Sequence, residues 1–163
     1  MSQAVYGAIG IGAFIGIALL AAQRDYAFAK IPNILVIVLY VLATFVQLFR
    51  AFFDATGLLY CTNESPLNIV LWTVGILIVF SLVELIYRRT KGESILGFGD
   101  IKYVGAWVLL AGPAVGLCGF GIGCLLGAIV SGIRKKKTFA LAPWVFGCSV
   151  ALYALCSYLM AAA

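Results

Sequence analysis

Long apolar runs separated by short polar loops leave this chain few ways to fold. About 64% of its residues are apolar and only 10% are charged. A soluble domain of 163 residues has too little interior to hide that much apolar surface. Lipid must be the solvent for most of it. Within lipid each backbone polar group has to find its partner inside the segment, so helices are the expected answer. The expected fold is all-α: a polytopic membrane bundle of about six transmembrane helices forming a single domain over residues 1–163, with no separate soluble part.

A crossing needs ~20 apolar residues. The first expected span runs from about Ala4 to Ala22 and reads as a membrane span, not a cleaved signal peptide, because no basic region precedes it. The second comes after Pro32-Asn33 and ends near Phe49, with Pro32 opening the helix, and the third covers about Leu67 to Tyr87. The stretch from Ile101 to Ile133 is too long for one span, and Gly112-Pro113 is expected to break it in two, the first part short. The last runs from about Phe139 to Met160.

Alternating spans put the loops 23–33, 88–100 and 134–138 on one side. They carry Arg24, Lys30, Arg88, Arg89, Lys91 and the run Arg134-Lys135-Lys136-Lys137, with Lys102 at the edge. Basic loops stay in the cytoplasm, so both termini are expected outside. The net charge of +5 is thereby assigned to lipid head groups, and a nucleic-acid partner is not expected. Cys61, Cys118, Cys124, Cys148 and Cys156 form no CxxC, and the chain has no histidine. Neither a metal site nor a cofactor is expected. Rows of glycine, such as Gly116, Gly119, Gly123 and Gly127, read as helix-packing surfaces.

Against this background two acids stand out. Asp25 lies in Arg24-Asp25-Tyr26 and Asp100 in Gly97-Phe98-Gly99-Asp100-Ile101-Lys102. A carboxylate near hydrocarbon is costly and marks a partner or a function. The topology brings both to the same face. Two close carboxylates resist double ionisation and so share a proton, which is the chemistry of an aspartic protease. Gly97 and Gly99 would let a substrate backbone approach. Simpler readings stand beside this one: Asp100 as an N-cap for the next helix, and Asp25 as a solvated partner of Arg24 or Lys30. Glu84 sits four residues before Arg88 and reads as a helical ion pair. Glu93 reads as a loop residue near enough to Gly97 to touch substrate. Lys102 reads as a snorkelling cation able to bias Asp100. Asp54 and Glu64 are expected to be solvated on the far side, and Trp72, Trp107 and Trp144 to anchor at the interface.

The element Gly97-Phe98-Gly99-Asp100-Ile101-Lys102 resembles the GxGDxK motif of the prepilin peptidases, the type IV leader peptidases, and Gly105-Ala106-Trp107 is similar to the stretch just downstream of that motif in the family. Asp25 with Ile31-Pro32-Asn33 resembles the family's first catalytic aspartate and its downstream IPN, and Ala142-Pro143-Trp144 loosely resembles the motif opening its last span. The likeness extends over nearly the whole chain. It is to short forms without the N-terminal cysteine-bearing methyltransferase region, like those serving tight-adherence (Flp) pili. The resemblance implies Asp25 and Asp100 as catalytic residues, supported by Gly97, Phe98, Gly99 and Lys102. It implies Ile31, Pro32 and Asn33 as substrate contacts, beside Glu93, which its place near Gly97 puts within reach of substrate. The implied substrate is a prepilin-like protein with a basic leader and an apolar helix, cut at the cytoplasmic face of the cell membrane. Two other classes compete: a small proton- or cation-coupled transporter or channel, and an inactive pilus or secretion assembly subunit.

Overall fold

The computed structural model describes residues 3–28, 30–53, 64–94, 96–133 and 140–162. Five helices account for nearly all of them: α1 (Gln3–Phe28), α2 (Asn33–Phe53), α3 (Pro66–Lys91), α4 (Phe98–Ile133) and α5 (Ala142–Ala162), with no strand among the described residues. All five are long and apolar enough to cross a bilayer, one fewer than the six spans expected. The difference lies in α4, whose helix is interrupted at Gly112 (φ 87°, ψ 167°). That positive φ is a backbone state glycine adopts at little cost.

The break turns the chain back on itself. A Cβ at Gly116 would stand 2.9 Å from the backbone nitrogen of Val108, an approach no straight helix allows between those positions. The Asp100 carboxylate also acts electrostatically on Cys124, which a straight rod would hold about 36 Å away. At 1.5 Å per residue, limb 98–111 is about 21 Å long and limb 113–133 about 31 Å. Pro113 has no N–H to give the carbonyl of Leu109. Gln47 of α2 supplies the donor instead, its Nε2 reaching Leu109 O at 2.8 Å and Leu110 O at 3.0 Å.

The shorter limb is the hub of the bundle. Every residue from Tyr103 to Gly112 is buried. α2 runs alongside it, with the Tyr40 hydroxyl donating to Lys102 O at 3.1 Å. α1 packs on another side, where the Tyr103 hydroxyl donates to Ala18 O at 3.0 Å. Trp107 is 1% exposed and packs between Phe14 (5.1 Å between ring centroids) and Phe146 (6.2 Å). It is a core residue, not the interface anchor expected, because this limb is enclosed. The longer limb packs on α5, where Gly119 and Gly123 face the backbones of Ser149 and Val145. Close approach through glycine is how apolar helices gain contact when lipid removes the hydrophobic drive between them.

The outside of the bundle is apolar too. On α2, Ile34, Ile37, Val41, Phe45, Leu48 and Phe52 are all exposed at helical spacing. In water such a stripe would drive aggregation, whereas in a bilayer it is the lipid-facing surface.

Several helix ends differ from expectation. α1 continues through Arg24-Asp25-Tyr26 to Phe28, so Asp25 is helical and does not lie in a loop. No proline or glycine comes after Gly16 on that stretch to stop it. α3 likewise continues to Lys91, carrying Arg88 and Arg89 in its last turn, and ends at Gly92 in a left-handed cap (φ 72°). Asp54, Cys61 and the run Arg134–Lys137 lie outside the described residues.

Candidate functional site

One end of the bundle collects the C-termini of α1 and α3 and the N-termini of α2, α4 and α5. Asp25 comes in on the last turn of α1 and is 5% exposed. Its Oδ2 accepts the backbone N–H of Ala142 at 3.1 Å, and the carboxylate also accepts from Leu141. These amides open α5, so the positive end of that helix dipole faces the carboxylate. The reading of Asp25 as a solvated partner of Arg24 or Lys30 is replaced by this contact. Arg24 instead stands over the Phe28 ring at 5.6 Å.

Asp100 comes in on the first turn of α4. The helix begins at Phe98, so Gly97 is the cap and Asp100 the third helical residue. Its carboxylate reaches back to accept the N–H of Gly97, as the acidic member of a capping box does. Asp100 is therefore not the N-cap the simpler reading required. A Cβ at Gly97 would stand 3.2 Å from Asp100 Oδ2, tight enough to push the carboxylate aside. Gly99 faces Ile31, with 3.6 Å from an ideal Cβ to Ile31 Cβ.

The two carboxylates interact electrostatically and line one cavity of about 340 Å³. Gly97, Phe98 and Gly99 form one wall, Ile31 and Asn33 another, and Lys30 and Lys102 supply positive charge at the rim. Lys102 is exposed, as a snorkelling lysine should be, and its Nζ lies 3.5 Å from Asn33 Oδ1. Of the residues singled out in the sequence, Asp25, Asp100, Gly97, Phe98, Gly99, Lys102, Ile31 and Asn33 meet at this cavity. Pro32 does not line it; its carbonyl accepts from Leu35 and Val36 at the start of α2. Glu93 is exposed in the turn after α3 and does not line it either.

Two contributors escaped the sequence reading. One is the start of α5, whose amides hold Asp25 from across the chain. Ala142-Pro143 carried the signal, a proline at a helix start, but nothing in it named the partner. The other is Glu84. The expected ion pair with Arg88 is present. Glu84 is also 1% exposed and bonded to the segment leading into Gly97.

Searches against family models, curated proteins and solved structures found no match to this chain.

Proposed function

We propose that this chain is a membrane aspartic endopeptidase of the prepilin-peptidase type, removing the leader of a prepilin-like protein with Asp25 and Asp100. The observation that carries the reading is the meeting of these two acids, from α1 and α4, in one cavity walled by Gly97-Phe98-Gly99. In this reading one carboxylate takes a proton from water, which attacks the scissile carbonyl. The other, protonated, donates to the carbonyl oxygen; on collapse the first gives the proton it took from water to the departing amine, and the second takes its own back from the gem-diol hydroxyl. The pair acts as a unit, so acid and base are properties of the dyad. The substrate's main chain would lie along the glycine wall, and its apolar helix would remain in the bilayer. Sharing the membrane supplies much of the effective concentration.

Counting the limbs of α4 separately gives six crossings, the shorter one enclosed by the others. The end with the two aspartates also bears Arg24, Lys30, Arg88, Arg89, Lys91 and Lys102, a basic rim that supports a cytoplasmic orientation in the cell membrane by the positive-inside rule. The transporter reading finds less support, because the acids stand at one end of the bundle and not at its middle.

The test is co-expression with a candidate prepilin carrying a basic leader, a glycine at the cut and an apolar segment after it. Leader removal is expected with the native chain. An intact prepilin beside well-inserted native protein would count against the reading. For orientation, a reporter fused after Ala163 should be active only if it works outside the cytoplasm.

A further inference from the structure

Glu84 occupies a costly position. Its neighbours on α3, Val83, Leu85 and Ile86, are all exposed apolar residues of a bilayer-facing surface, whereas Glu84 is 1% exposed. A buried carboxylate persists only where its oxygens are satisfied. One oxygen receives the Arg88 Nε and the Ser94 hydroxyl. The other receives the backbone N–H of Leu96 at 2.9 Å. Arg88 adds a second bond to the Ser94 hydroxyl at 3.1 Å and stands 5.0 Å over the ring of Phe98.

Ending α3 does not require this carboxylate. The Gly92 cap already closes the helix, its N–H donating to Arg88 O at 3.0 Å. Glu84 fastens residues beyond the turn: Ser94, then Leu96, the residue before the Gly97 cap that Asp100 reaches back to. We propose that Glu84 is a positioning residue, a latch that works with Arg88 and Ser94 to hold Ser94, Leu96 and Phe98 against α3 and so fixes where Asp100 stands. The kinetic consequence rests on the peptidase reading; the geometric one does not.

The geometric test uses Ile31 and Gly99, which line the cavity and meet where the segment before α2 touches the start of α4. An ideal Cβ at Gly99 lies 3.6 Å from that of Ile31, within the roughly 3.5–4.5 Å range for a disulfide. In a background with the native cysteines replaced, Ile31→Cys with Gly99→Cys should oxidise readily in membranes, read as loss of maleimide labelling. Adding Glu84→Gln should remove most of that cross-link, Ser94→Ala part of it, and Ser94→Thr almost none. Cross-linking in Glu84→Gln equal to that of its parent would overturn the latch. Where Glu84 variants fail to accumulate, the exposed Ser94→Ala decides by the same readout, and an unchanged cross-link again overturns the proposal.

A role confined to stability would lower the melting temperature in detergent while leaving the cross-link and kcat of the inserted protein intact. The latch instead predicts that Glu84→Gln lowers kcat about 10- to 100-fold with KM within about twofold, as for misplacement of a reacting group. Should the native chain cleave no prepilin, the peptidase reading fails, and the cross-link still decides the latch.

Discussion

Polar groups are buried at both ends of this bundle, with different consequences. At the break in α4, Gln47 is 3% exposed and donates to the carbonyls of Leu109 and Leu110. Those acceptors lost their helical donors to Pro113 and to the turn at Gly112, so the side chain completes a backbone account. At the other end, Asp25 and Asp100 also accept backbone amides, from Ala142 and Gly97. There, however, the acids remain open to a cavity. A neutral amide that closes a helix end serves architecture. Two carboxylates that keep a shared space beside them, despite the cost of that position, are what the proposed hydrolysis requires.

The contrast is most exposed to a change in the substrate. Moving the scissile bond one helical turn into the substrate's apolar segment takes it away from the carboxylates, toward the end with Gln47. Processing should stop in a gel assay, and efficient cutting would place the reactive site deeper than the aspartate end. Next come the cavity walls. Gly97→Val should lower the initial cleavage rate about 10- to 100-fold by displacing Asp100. Gly99→Val should cost about tenfold by crowding Ile31 and the substrate path. Ile101→Val, at a site 2% exposed, should change the rate little and cost only about 1 kcal/mol of stability. Equal rates for the valine variants at 99 and 101 would remove the glycine wall from the account.

At the far end, Gln47→Leu should cost about 1 kcal/mol for each carbonyl it abandons, read as a lower melting temperature in detergent, with cleavage of the folded fraction retained. Lost cleavage in well-folded Gln47→Leu would mean that the two ends are coupled. The smallest effect is expected of Asp54→Asn, which should be silent in both assays.

Much of this contrast is legible in the sequence. Apolar run lengths located the helices, Gly112-Pro113 marked the break, and the spacing of basic loops brought Asp25 and Asp100 to one end. Sequence reasoning failed at helix ends and at contacts distant along the chain. Polarity suggested that the helix stopped before Arg24, yet polar residues continue a helix when its other face has something to meet, here the start of α5. Trp107 read as an interface anchor because nothing local shows that its limb is enclosed. Glu84 showed its i,i+4 partner but not Leu96, since a loop's return path carries no periodic signal. The turn-back at Gly112 also explains why counting spans by composition and by continuous helix gives different numbers.

The central claim is that Asp25 and Asp100 together perform hydrolysis. Its most direct test is a purified system: the native chain, Asp25→Asn and Asp100→Asn in liposomes with one synthetic prepilin, with leader release tracked by mass spectrometry. The account predicts release by the native chain and none above background by either variant, each still inserted and melting near the native temperature. Substantial release by either variant would contradict it.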